Sequence, residues 1–359
     1  VSYYTHPAGE TPEQIIAKCK ACDGYVHYLD KSIAVQMIYH THQRSHLSVG
    51  GVEYLFFKGR NSFIFIPAAT HSYIVQQQPD IVIVHGFIFP LQLLHLRKVL
   101  GPHVPIITQH HAEFPFRNTI KRWLQKLVAR HTAAFLFTSH GNAREWLQMG
   151  IVKNSSMCYE VLEGTNDFSR TPGMQLQGEP SFLWVGRLDA NKDPLTALRA
   201  FSRYARQHPA AHLHMVYHQQ TILQEVQQLI SNDATLQSSV TLVGEVPNAA
   251  LPQWFSAAHY FISASHKEGS GYAMIEAVAC GCVPVVTNIP SFYAITDGGT
   301  LGYLYHPGNA DSLFSVLLQL NPATRQSLSV ELQQHFRQNL SYSAIARRMQ
   351  QVFAQLIEK

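Results

Sequence analysis

The chain has 359 residues, more than one hydrophobic core usually organises, so two domains are expected. Hydrophobic residues make up 46% and charged residues 14%, which excludes a disordered or charge-run protein. A net charge of +4 is mild: it admits an anionic small ligand or a membrane surface and does not point to nucleic acid.

Strand and helix patterns alternate through residues 1 to about 170. Val1 to Tyr4 reads as the tail of a strand, with a few residues expected upstream. Thr11 can cap a helix that has Pro12 at its first position and Gln14 three residues on. Ser32–Tyr39, Val52–Phe57 and Ser62–Ile66 are strand-like, with Lys58-Gly59-Arg60-Asn61 as a turn. Thr70–Gln78 reads as a short helix. Asp80–His85 and Val104–Thr108 are buried strands, and Gln109-His110-His111 follows the second. Leu91–Leu100 and Arg117–His131 are helical; the latter is amphipathic and basic. Ala134–Thr138 is a strand, Gly141–Met149 a helix and Tyr159–Leu162 a last short strand. Apolar strands separated by helices imply a parallel sheet covered on both faces.

A polar, Pro/Gly-rich stretch over 169–180 reads as a linker. A second α/β series follows. Ser181–Val185, His212–Tyr217, Val240–Gly244, Tyr260–Ile262, Val283–Thr287 and Gly302–Tyr305 are its strands. Pro194–Gln207, Leu223–Ser231, Pro247–Ala257, Tyr272–Ala279, Ala310–Leu320 and Thr324–Asn339 are its helices. The domains expected are 1–172, 173–340 and a C-terminal helix, 341–359. That helix carries Tyr342, Ile345, Met349, Val352, Phe353 and Leu356 on one face, a stripe that needs a partner.

The five cysteines are odd in number and lack a regular framework, so reduced thiols in the cytosol are expected. Cys19-Lys20-Ala21-Cys22 has CxxC spacing, but no second pair completes a zinc site, and a structural role is favoured. The 21 histidines include the pairs His110-His111 and His212-x-His214, yet no H-E-x-x-H or similar ligand set occurs. No apolar run approaches the roughly 20 residues that span a bilayer, and no signal peptide is visible.

Two groups of residues carry chemistry. Arg187 and Lys192 follow the first strand of the second half, just before a helix whose N-terminus adds partial positive charge. Together they suit a diphosphate, Arg187 as a planar donor and Lys192 as a point charge. Glu268 lies in a glycine-bearing loop and Glu276 on the helix that follows; both can line one crevice. Cations on one wall and two carboxylates on the other suit a nucleotide-diphospho-sugar. Gly269 and Gly271 would let backbone N–H groups approach the sugar.

Here the sequence resembles the retaining "group 1" glycosyltransferases of GT-B fold, a class with sucrose synthase and glycogen synthase. The family's E-x7-E segment matches Glu268-Gly269-Ser270-Gly271-Tyr272-Ala273-Met274-Ile275-Glu276 and continues through Gly281 to Pro284-Val285-Val286. Its G-R-L…K loop matches Gly186-Arg187-Leu188 with Lys192. The resemblance is specific over 181–320 and weaker before. It implies two Rossmann-like domains facing across a cleft, with the C-terminal helix crossing back to the first.

It also implies roles. Arg187 and Lys192 bind the diphosphate, Glu276 accepts from ribose hydroxyls, and Glu268 sits at the donor sugar. Ser270, Gly271 and Tyr272 contact sugar or phosphate, as do Gly186 and Gly269 at the donor. Gly9 stands in a loop near the phosphates. His110 falls where the family often places a histidine near the reacting centre, with His111 as the alternative and a structural role also open. Departures occur: Glu163-Gly164-Thr165 replaces P-N-G, and Asn288-Ile289-Pro290-Ser291 replaces G-G-x-x-E.

The implied reaction is sugar transfer from a nucleotide-diphospho-sugar to an acceptor hydroxyl with anomeric retention, by a front-face path needing neither cofactor nor metal. The acceptor is a glycan, a lipid-linked molecule or a small molecule. The basic helix suits peripheral contact with the inner face of the membrane as well as an ordinary surface role. A nucleotide-sugar epimerase of the same fold, a phosphorylase and a non-catalytic nucleotide-sugar-binding protein are the rivals.

Overall fold

The computed structural model describes residues 1–165, 171 and 173–357. They divide into two compact units. The first is Val1–Gly164 with Tyr342–Lys359; the second is Thr165–Ser341. The division thus falls eight residues before the boundary expected at 172, because Thr165 donates its N–H to Leu340 O at 3.2 Å and pairs with Ser341. Part of the linker expected over 169–180 lies outside the described residues.

The first unit begins with helix α1 (Pro12–Asp23), whose capping box is the one read from Thr11 and Gln14: Gln14 N–H donates to Thr11 Oγ1 and Thr11 N–H to Gln14 Oε1. Strands β1 (Gln36–Thr41), β2 (Ser45–Val49) and β3 (Val52–Lys58) form one sheet in the order β1-β3-β2. β2 went unread in the sequence. Its signal is Gly50-Gly51, both with positive φ (57° and 83°), the two-residue turn that joins antiparallel strands. Then follow α2 (Ala68–Gln76), β4 (Val82–His85), α3 (Pro90–Leu100), β5 (Ile106–Gln109), α4 (Thr119–Ala129), β6 (Ala134–Phe137), α5 (His140–Gln148) and β7 (Cys158–Glu160). β4-β5-β6-β7 is a parallel sheet. The N-terminal residues lie between the two sheets, Ser2 bridging to His85 and Thr5 to His40.

Two expected strands are absent; of residues 1–4 only Ser2 forms an isolated bridge. Residues 62–66 are not a strand, because Gln92 Nε2 donates to the carbonyls of Ser62, Phe63 and Phe65, and this side chain takes the place of a neighbouring ladder. The C-terminal helix, Tyr342–Ile357, finds its partner in this unit. Ile345, Ala346, Met349, Val352 and Leu356 are buried in a core with Ile15, Tyr25, Val26 and Ile107. Tyr342 Oη donates to Lys20 O at 2.6 Å.

The second unit carries β8 (Ser181–Gly186), α6 (Pro194–Gln207), β9 (His212–Tyr217), α7 (Leu223–Ser231), α8 (Ala234–Ser239), β10 (Val240–Gly244) and α9 (Leu251–Ala257). It continues with β11 (Tyr260–Ser263), α10 (Tyr272–Ala279), β12 (Val283–Thr287), α11 (Pro290–Ile295), β13 (Tyr303–Tyr305), α12 (Ala310–Leu317) and α13 (Pro322–His335). The six strands are parallel in the order β10-β9-β8-β11-β12-β13. This is the doubly wound order of a dinucleotide-binding fold, and it reverses between β8 and β11. No described helix is long and apolar enough to cross a membrane.

Candidate functional site

In an open doubly wound sheet, ligands bind beyond the carboxyl ends of the strands at the point where strand order reverses. In the second unit, the two loops leaving that point are residues 187–193 after β8 and 264–271 after β11. The sequence had singled out these two loops.

They are stitched together. Asn191 Nδ2 donates to Lys267 O at 3.0 Å, and His266 N–H donates to Asn191 O at 2.8 Å. The stitch brings Lys192 and Glu268 into a direct pair, Nζ donating to Oε1 at 2.5 Å. Both side chains are mostly buried, 18% and 13% exposed, so water screens the pair less than a surface one. Lys192 is itself held by its N–H, which donates to Asp189 Oδ1 at 2.9 Å. A Cβ at Gly186 would press on Trp184 Cη2 at 3.2 Å and make only ordinary contact, 3.6 Å, with Lys192 Cδ. Arg187 is more open, 44% exposed, with Nε 2.9 Å from Asp189 Oδ2.

The helix start that suits an anion is not the one expected. At α6, Pro194 has no N–H, and Asp193 Oδ1 accepts from Thr196 N–H at 3.2 Å, so a carboxylate already occupies that terminus. The open start belongs to α10, where no side chain caps the first turn. Gly271 precedes it in the left-handed region at φ 76°, and a Cβ there would meet Phe292 Cε1 at 2.5 Å. Only glycine fits this turn. Ser270, beside it, is buried, and its Oγ has no hydrogen-bond partner among the described residues. Tyr272 opens α10 and is half-buried; Gly269 is half-buried in the loop before it.

Glu276 sits one turn further along α10. Burial pushes its carboxyl up from 4.5 to about 7. No hydrogen bond or ion pair joins it to the Lys192–Glu268 pair among the described residues.

The first-unit expectations fare differently. His110 is buried at the end of β5, against Phe137 and Trp146. Its Nε2 lies 2.8 Å from Glu113 O, and Ala112 N–H donates to Nδ1 at 3.3 Å. Both ring nitrogens therefore contact their own loop. Gly9 lies exposed at φ 96° before α1. His111 instead joins Glu163 and Cys22 in a cluster of metal-ligand type.

Comparison with known proteins fits this geometry. Residues 179–321 match the family model "Glycosyl transferases group 1", and residues 27–157 match "Glycosyltransferase Family 4". The fold is GT-B. A glycosyltransferase from Rickettsia africae shares it at a TM-score of 0.76 and 15% identity, covering 99% of this chain and 98% of that one. Sucrose-phosphate synthase from Thermosynechococcus elongatus gives 0.73 and 18%, covering 97% and 94%. A GDP-mannose:cellobiosyl-diphosphopolyprenol alpha-mannosyltransferase of Xanthomonas campestris is 23% identical over 253 residues, which are 67% of this chain and 66% of that protein. The chain spans between 22% and 66% of the length of the curated relatives it matches.

Within the second unit, the sequence had placed Lys192, Glu268 and Glu276 in these two loops and on α10. The Asp before Pro194 also marked the start of α6, where Asp193 is the cap. Sequence reasoning missed Asn191 and Asp189, which position Lys192.

Proposed function

We propose that the chain is a retaining glycosyltransferase that moves a sugar from a nucleotide-diphospho-sugar to an acceptor hydroxyl. The observation that carries this is the part-buried Lys192–Glu268 pair at the reversal point of the second sheet, Glu268 being the first residue of a complete E-x7-E segment.

In this reading Lys192 and Arg187 turn toward the donor diphosphate, and the first turn of α10 adds N–H groups. Ser270 Oγ gains the hydrogen bond it lacks within the protein. Glu268 is released from Lys192 to the sugar hydroxyls, and Glu276 accepts from the ribose. Catalysis is then chiefly electrostatic, by cations aimed where charge grows on the leaving oxygen. The leaving diphosphate takes the acceptor proton, and no metal or cofactor is needed. His110, which the resemblance places near the reacting centre, stands at the end of β5 with its ring nitrogens against its own loop.

The Xanthomonas relative is named for a nucleotide-activated mannose and a lipid-linked acceptor. A glycan or lipid-linked acceptor is the corresponding reading here. It gains support from α4, which leaves Ile120 72% and Trp123 59% exposed beside Lys121 and Arg122, a face suited to an anionic membrane.

Product analysis tests the proposal. Sugar transfer that depends on acceptor is expected; conversion of donor without acceptor would favour the epimerase.

A further inference from the structure

We propose that Cys22, His111 and Glu163 form a binding site for a divalent transition metal, zinc first, in the first unit. One ligand atom from each lies within 4.8 Å of the other two. Three separate elements deliver them: Cys22 from the last turn of α1, His111 from the loop after β5, Glu163 from the segment after β7. Zinc bonds of about 2.0–2.3 Å put tetrahedral ligands roughly 3–4 Å apart, so side-chain shifts of about 1 Å close the site. Thiolate, imidazole and carboxylate together are a borderline-soft set that zinc accepts, and three protein ligands leave a fourth position open.

The surroundings are those of a metal-bound histidine. His111 Nδ1 lies 2.9 Å from Glu163 Oε1, while its Nε2 lies 3.0 Å from His85 Nδ1. The two imidazoles stack at 5.3 Å, and His85 Nδ1 lies 3.6 Å from Asp23 Oδ1. That oxygen is buried and has no hydrogen-bond partner among the described residues. An orienting partner on the second ring nitrogen is what a ligating histidine characteristically has.

A metal ligand must be deprotonated, so protons held by Cys22 Sγ and the His111 ring leave as the dication enters.

The full chain, stripped with a chelator, is titrated with cobalt(II) and then zinc. One equivalent is expected to bind, with a thiolate-to-cobalt charge-transfer band that zinc abolishes. Cys22→Ser should remove the band and Cys19→Ser should keep it. A missing band at one equivalent, or one that survives Cys22→Ser, overturns the proposal. Should Cys22→Ser fail to fold by circular dichroism, Glu163→Gln decides: cobalt affinity falls about tenfold or more, or the proposal fails.

Discussion

Lys192→Ala is expected to lower turnover at least about 100-fold, with the fold intact. The figure follows from the cost of removing one donor that stabilises a growing negative charge, about 3–4 kcal/mol in the transition state. Lys192 is mostly buried and positioned through its own backbone by Asp189, so its ammonium acts with little competition from water. Its removal leaves Glu268 in the loop without its cation, which adds a cost in donor binding. Arg187→Ala should also be slow but less so, since Arg187 is 44% exposed and shares its charge with Asp189. Steady-state kinetics beside circular dichroism check both. A folded Lys192→Ala with near-normal turnover removes the assignment of Lys192 to the diphosphate.

Glu276→Gln should make the protein more stable and bind donor worse. In the folded chain burial raises this carboxyl to about 7 from 4.5. Between those two values the folded state holds a proton that the unfolded state has lost. Stability therefore falls as pH rises through that window, and the full cost is present above about 7. Glutamine removes the cost, so near pH 8 the variant should gain on the order of 2 kcal/mol, read by denaturant unfolding. Below the window the two proteins should match. A carboxylate that accepts from ribose is worth about 1.5–3 kcal/mol more than nothing in its place, so donor affinity should drop roughly tenfold or more. In the wild type the same affinity should weaken as pH falls through about 7. A variant that gains no stability at high pH, or keeps full donor affinity, contradicts this use of Glu276.

How far the sequence reaches is plain from particular residues. The segment from Tyr260 to Thr287 was readable because its chemistry is local: strand, loop, helix and strand follow within one stretch. The C-terminal stripe was readable because its helical period is regular, and Ile345, Met349, Val352 and Leu356 are indeed buried. Residues 62–66 misled because β propensity says nothing about Gln92, whose single amide serves three carbonyls from 27 to 30 positions away. The Asn191 stitch was invisible for the same reason, since its partner carbonyl at Lys267 is distant in the chain. The Cys22, His111 and Glu163 cluster lies beyond any spacing rule, because only the sheet order brings α1, β5 and the end of β7 together. His110 illustrates the converse. Its position at a strand end pointed to chemistry, and only the two short contacts to its own loop show where its nitrogens go.

The most direct test of the central claim is the anomeric configuration of the product. The protein is incubated with a panel of nucleotide-diphospho-sugars, with and without glycan or lipid-linked acceptors, and products are read by proton NMR. The account predicts a glycoside that forms only with acceptor, carries the donor's anomeric configuration and is lost in Lys192→Ala. An inverted glycoside, or donor turned over equally without acceptor, would contradict it.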